Sequence, residues 1–145
     1  MFIGVKENQL DAKNRCIVPA KFRSALGSDC VLVRDPDGYL VLFPRDEWLE
    51  YAEVIKSRPD EDEDARKNKN YFFTHSDPCE VDKQGRILLP ASCIKHAGIV
   101  KNIVNVGEID RIKIWSEENY EVMMTEIEPQ GNKIRSKMNK YNIKE

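Results

Sequence analysis

The chain has 145 residues, 41% of them hydrophobic and 33% charged, which allows one modest core or two small domains. No apolar run approaches the roughly 18 to 20 residues that span a bilayer, and the first residues lack the basic start and apolar stretch of a secretion signal, so a cytoplasmic protein is expected. The net charge of −2 argues against a uniformly basic protein, yet it conceals segments of opposite sign: +3 over residues 1–27, −8 over 28–64, +4 over 65–101 and −1 over the remainder.

In chain order, the first clear element is Leu10-Asp11-Ala12-Lys13-Asn14-Arg15-Cys16-Ile17-Val18-Pro19-Ala20. Asn14 tolerates the positive φ of a tight turn, and the flanking residues are β-prone, so a hairpin is predicted with Asp11 and Arg15 facing each other across it. Pro19 marks a first helical residue and Gly27 a helix end. Strands are predicted over 30–34 and 39–43, separated by the turn signal Asp35-Pro36-Asp37-Gly38. Pro44 opens a helix whose Trp48, Ala52 and Ile55 recur at core-facing spacing until Pro59 stops it. The acidic block 60–64 reads as a solvated linker or helix tip. Residues 65–74 are basic, then aromatic, and are predicted helical.

The pattern then starts again. Val81-Asp82-Lys83-Gln84-Gly85-Arg86-Ile87-Leu88-Leu89-Pro90-Ala91 aligns on residues 10–20 at an offset of 71, and Gly98 answers Gly27. With one inserted residue the match continues, residues 30–33 pairing with 102–105 and 40–43 with 112–115. Strands are accordingly predicted over 102–106 and 110–115. Ser116 is a good N-cap for a helix with Glu117 and Glu118 in its first turn, and Tyr120, Met123, Met124 and Ile127 form a stripe expected to face the core before Pro129. The polar tail is expected to fray. The resulting division is a first unit over 1–59, a linker and connecting helix over 60–74, a second unit over 75–128 and a tail over 129–145.

For one copy of Asp-x-x-x-Arg, an ion pair that stiffens the hairpin is the simplest reading. The surroundings point further: Lys13 accompanies Arg15, Lys83 accompanies Arg86, and Lys21 and Arg23 lie on the following helix. A duplicated cationic cluster on an acidic protein suits a polyanion of regular phosphates, where arginine also pairs with guanine edges. A two-stranded ribbon is narrow enough to enter a major groove.

The opening Met-Phe-Ile-Gly, the box Leu-Asp-Ala-Lys-Asn-Arg-Cys-Ile-Val-Pro-Ala-Lys-Phe-Arg, the later Leu-Phe-Pro-Arg-Asp-Glu-Trp and the second box Val-Asp-Lys-Gln-Gly-Arg-Ile-Leu-Leu-Pro together resemble the MraZ family, within the AbrB-like group of swapped-hairpin regulators. The resemblance runs from Met1 to about Ile127, with Asn14 standing where glycine is common. It implies an α+β fold of two AbrB/SpoVT-like hairpin-and-helix units, forming a pseudo-symmetric double-psi or swapped-hairpin β-barrel with helices outside. It also implies a transcriptional regulator, associated with the nucleoid, that binds direct repeats upstream of its own division and cell-wall operon as a ring-shaped homo-oligomer. The implied DNA-facing loops map to Asp11, Lys13, Arg15, Asp82, Lys83 and Arg86. An antitoxin role fits less well, because antitoxins of that fold usually carry one hairpin unit.

Other chemistry finds little support. The four cysteines (Cys16, Cys30, Cys79, Cys93) show no Cys-x-x-Cys, and Cys93-x-x-His96 is the only close pair, so free thiols in packing roles are expected and no metal or cofactor. His75 and His96 have no nucleophile signature around them, and no enzyme is expected; His75 reads as capping or packing before the second unit. The rival reading is an oligomeric interaction scaffold whose acidic segment 46–64 binds a partner without DNA.

Overall fold

A computed structural model describes residues 1–141; residues 142–145, the end of the tail expected to fray, lie outside the described residues. The elements are β1 (Phe2–Gln9), β2 (Arg15–Ile17), α1 (Ala20–Leu26), β3 (Asp29–Arg34), β4 (Leu40–Pro44), α2 (Arg45–Ser57), α3 (Glu63–Thr74), β5 (Ser76–Glu80), β6 (Arg86–Leu88), α4 (Ala91–Ala97), β7 (Asn102–Ile109), β8 (Ile112–Ser116), α5 (Glu117–Ile127) and α6 (Gly131–Lys137). Short 3-10 turns at Glu128–Gln130 and Met138–Tyr141 flank α6. The described part of the tail is therefore helical rather than frayed. Lys133, Arg135, Lys137 and Met138 are good helix formers, and no proline interrupts them.

Pro19, Pro44 and Pro90 each stand one residue before their helix rather than inside it, with ψ of 131°, 147° and 149°. Their extended backbone ends the preceding segment, and the next residue starts the helix. Asp62 caps α3 by accepting from the N–H groups of Asp64 and Ala65 at 2.9 and 3.2 Å. Asp60 accepts from Lys69 Nζ at 2.6 Å, so the acidic block is the capped tip of a helix. His75 closes the other end of α3, its N–H donating to the Tyr71 carbonyl at 3.0 Å while the two rings stack.

The strands form a six-stranded antiparallel sheet in the order β1-β7-β8-β4-β3-β5 and a separate two-stranded ribbon, β2-β6. β1 and β5 lie at the ends of the large sheet, and no barrel closes among the described residues. The pairings cross between the repeats: β1 joins β7, β5 joins β3, β4 joins β8 and β2 joins β6. A pseudo-twofold relates them. Cys16 opposes Ile87 at the centre of the ribbon, and Val41 opposes Lys113 at the centre of the β4-β8 pair.

The same symmetry corrects the repeat alignment at one place. Val81 N–H donates to the Ser28 carbonyl as Leu10 N–H donates to that of Lys101, so Cys30 corresponds to Ile103, at an offset of 73, and not to Asn102. Beyond the following turn the offset is 72, since Leu40 opposes Ile114 where Leu42 opposes Ile112.

Strand periodicity of two distributes the core over both faces of the sheet. Cys30, Leu32, Leu40 and Leu42 point to a large cluster with Phe2, Phe22, Leu26, Ile87, Leu89, Ile103, Ile112 and Ile114, roofed by α1, α4 and the ribbon. Val33, Val41 and Phe43 point the other way, to Ala52 and Ile55 of α2 and Phe72 of α3. The stripe on α5 does not join either cluster: Tyr120, Met123 and Met124 are half-buried, Ile127 is exposed, and all four border an open groove with Tyr39, Val106 and Trp115.

The β7-β8 turn places Ile109, an exposed β-branched residue, at φ 67°, a conformation costing about 1–2 kcal/mol for an L-residue. Ile109→Gly removes that strain and loses little buried surface, the residue being 67% exposed, against about 0.5–1 kcal/mol of added unfolded-chain entropy. The expected result is a gain of about 1 kcal/mol or less in chemical denaturation. A loss of stability would show that the side chain contributes contacts outweighing the strain.

Candidate nucleic-acid interface

The two Asp-x-x-x-Arg segments fold into the same turn. Asp11 N–H donates to the Arg15 carbonyl at 2.8 Å and Asn14 N–H to the Asp11 carbonyl at 3.1 Å; the corresponding distances at residues 82–86 are both 2.9 Å. Asn14 at φ 61° and Gly85 at φ 79° supply the left-handed residue each turn requires. The strands leaving each turn do not pair with each other, contrary to the hairpin expected within each unit. They diverge, one into the large sheet and the other into the ribbon.

Each aspartate organises its turn. Asp11 Oδ1 accepts from the N–H groups of Lys13 and Arg15 at 2.8 and 2.9 Å, and its Oδ2 accepts from Arg15 Nε at 3.0 Å. Asp82 does the same with Gln84 N–H, Arg86 N–H and Arg86 Nε at 2.9, 2.9 and 2.8 Å. Each arginine is thus clamped through its Nε with its side chain 28% exposed, and Arg86 Nη2 also reaches Gln84 Oε1 at 3.2 Å. The backbone N–H of Arg15, joined by that of Lys13 and the Arg15 side chain, holds the Asp11 carboxyl below its ordinary 3.8. The Arg86 N–H does the same to Asp82, with its side chain and the Gln84 N–H.

Because these folded-state values are depressed, the stabilisation they give is present above pH 3.8 and is lost as pH falls through the lower folded values. Carboxyl titration by NMR is expected to place both midpoints below 3.8. A midpoint at or above 3.8 would mean the carboxylates are not held as described.

The ribbon joins the two turns. Val18 N–H donates to the Gly85 carbonyl and Leu89 N–H to that of Asn14, both at 2.8 Å, so Arg15 opposite Leu88 and Ile17 opposite Arg86 are the close, non-hydrogen-bonded pairs. Alternation sends Cys16 and Ile87 into the core and puts Arg15, Ile17, Arg86 and Leu88 on one outer face. On that face the two arginine Cα atoms lie about 8 Å apart, from two residues of rise and one close strand spacing. Ile17 and Leu88 are 51% and 60% exposed between them. This pair is not among the candidate residues of the sequence reading, although the Arg-x-hydrophobic spacing of Arg15-Cys16-Ile17 and Arg86-Ile87-Leu88 carries the signal.

The remaining candidates divide. Lys13 and Lys83 are exposed on the turns but at successive rather than equivalent positions, Lys13 matching Gln84 and Lys83 matching Ala12. Lys21 is exposed on α1, its Nζ reaching toward Gly4 of β1. Arg23 is exposed but anchored: its Nε donates to the Val18 carbonyl at 2.9 Å, and its guanidinium lies over buried Gly85, where a Cβ would meet it at 2.5 Å. Arg23 thus props the second turn from the first half. Among the described residues no group of three or more His, Cys, Asp or Glu comes close enough to hold a metal ion. No described helix is long and apolar enough to cross a membrane.

Comparison with known proteins agrees with the duplication. The family described as MraZ protein, antitoxin-like, matches twice, over residues 1–70 and 72–139. The chain is 46% identical over 121 residues to the transcriptional regulator MraZ of Lachnoclostridium phytofermentans, covering 83% of this chain and 85% of that protein. It is 39% identical over 143 residues to the transcriptional regulator MraZ of Clostridium acetobutylicum, covering 99% and 100%. The protein of the same name from Clostridium beijerinckii is 43% identical over 83% of this chain and 84% of its own. With both repeats matched and near full-length likeness to these regulators, the chain belongs to the MraZ family.

Proposed function

We propose that this protein is a transcriptional regulator that grips duplex DNA with the outer face of its β2-β6 ribbon and the two turns beside it. The observation that carries this reading is the pair of clamped arginines, Arg15 and Arg86, related by a pseudo-twofold on one exposed face. Arginine pairs bidentately with guanine O6 and N7, and apolar side chains meet the thymine methyl, so Arg15, Arg86, Ile17 and Leu88 form a base-reading set. Lys13, Lys83 and Lys21 supply phosphate contacts, whereas Arg23 acts through the turn it supports. Asp11 and Asp82 serve as positioning residues for the arginines.

The finer reading follows the family. Units 1–59 and 75–128, joined through 60–74, exchange strands in the manner of swapped hairpins, and several copies form a ring that engages direct repeats upstream of the protein's own division and cell-wall operon, on the nucleoid. The names of the relatives support the regulatory role, and the duplicated cationic turns support DNA as partner.

Gel shifts on duplex from upstream of the gene, at two salt concentrations, test the proposal. Three phosphate contacts per chain lower affinity about fortyfold between roughly 50 and 200 mM salt, through counterion release. A scaffold acting through its acidic segment 46–64 would show no binding, or none that weakens with salt. Particle mass by light scattering, measured alongside, reports the ring.

A further inference from the structure

The two halves of the chain also meet at a pair of cysteines that DNA binding does not employ. Cys30 of β3 and Cys79 of the edge strand β5 are direct partners across an antiparallel ladder. Hydrogen bonds from Val81 N–H to the Ser28 carbonyl and from Arg34 N–H to that of His75, at 2.9 and 3.0 Å, mark the bonded pairs at both ends. Alternation makes Cys30 and Cys79 a bonded pair too, with Cα atoms about 5.5 Å apart. A disulfide spans that separation. Directly opposed residues project from the same face, and Cys30 Sγ lies 3.2 Å from the Cys79 carbonyl oxygen.

Access differs between the two sulfurs. Cys30 is 3% exposed within the main core, while Cys79 is half-buried beside an open groove lined also by Arg45, Trp48, Pro78 and Glu80. Contact with the Cys30 thiol holds the Cys79 thiol below its ordinary range. Burial pushes Cys16 up to about 12 and Cys93 up to about 11. Peroxide entering from the groove reaches the half-buried Cys79 sulfur before the 3%-exposed Cys30, so attack begins at Cys79.

We propose that Cys30 and Cys79 form a peroxide-oxidisable dithiol, a covalent modification site whose disulfide joins β3 of the first repeat to β5 of the second. The Cys79 thiolate attacks hydrogen peroxide: an S–O bond forms, the O–O bond breaks, and the departing hydroxide takes up a proton to leave as water. Cys30 then gives up its proton and attacks the resulting sulfenic acid. An S–S bond forms, the S–O bond breaks, and hydroxide leaves with that proton as a second water. Two thiols are oxidised and one peroxide is reduced. Opposed Cβ atoms at a bonded pair stand wider than a relaxed disulfide prefers, so the bond is strained and readily reversed by a dithiol.

The test uses the full chain treated with hydrogen peroxide, then denatured, alkylated and digested with trypsin without reduction. The cleavage sites put Cys16, Cys30, Cys79 and Cys93 in four separate peptides, 16–21, 24–34, 70–83 and 87–95. The expected product is a covalent link between 24–34 and 70–83 that dithiothreitol removes. Cys30→Ser is expected to abolish the link and leave a dimedone-reactive sulfenic acid on Cys79, and Cys79→Ser to leave Cys30 reduced. Linkage through Cys16 or Cys93 would overturn the proposal, as would oxidation of Cys79 to sulfinic acid with Cys30 still reduced, or four thiols untouched by peroxide. None of these readouts depends on DNA.

Discussion

Replacing both Arg15 and Arg86 by alanine is expected to cost about 1–3 kcal/mol of DNA affinity at each position and to erase preference for the operator over unrelated duplex. Both guanidinium groups leave their turns from a carboxylate clamp on the same side of the ribbon, so under the proposed function each would meet its base from a fixed starting point. Loss at one turn alone leaves half of the face intact. The double variant is expected to stay folded, because ion pairs as solvent-screened as these add little to stability. Lys13→Ala makes the contrasting control: affinity drops similarly on every sequence, and the salt slope falls by about one. Titration of operator and scrambled duplex with the folded double variant decides the matter. Unchanged affinity and preference would remove the arginines from the interface and the ribbon with them.

Phe22→Ala carries the largest expected loss of stability, about 3–5 kcal/mol. Phe22 is fully buried at the centre of the main cluster and meets Phe2 edge to face at 5.6 Å, with the ring planes 79° apart. The cavity opens between α1 and the sheet, beneath the ribbon, where rigid strands limit collapse. Urea denaturation is expected to show a lower midpoint with an unchanged slope. A loss below about 1 kcal/mol would indicate that the core refills, which a close-packed interior of this kind resists.

Much of the candidate site is legible in the sequence. Asn14 and Gly85 announced their turns because positive φ is a local demand that few residue types meet, and Asp11 with Arg15 announced an ion pair because both ends of a five-residue turn are necessarily close. Trp48, Ala52 and Ile55 read correctly as a buried stripe since helical spacing and core burial coincide there. The same spacing misled at Tyr120, Met123, Met124 and Ile127. Periodicity tells which residues share a face of α5, but only the positions of neighbouring elements decide whether anything covers that face, and here an open groove remains. Arg23 stays exposed as its charge suggests, but the missing Cβ of Gly85 also gives its guanidinium a seat 62 residues further along the chain, a contact that no local pattern contains.

The amino-acid sequence by itself determined the duplication, the positive-φ turns, the helices ahead of the tail and the alternation of the strands; all but the duplication follow from interactions within a few residues. Tertiary structure alone decided the partners: that β2 pairs with β6 and β1 with β7, that Ile17 and Leu88 stand between two arginines, and that Cys30 faces Cys79. Strand pairing is a choice among many β-prone segments whose backbone groups are chemically alike. That choice is made by how both faces of the whole sheet bury their side chains together, which no short stretch of sequence contains.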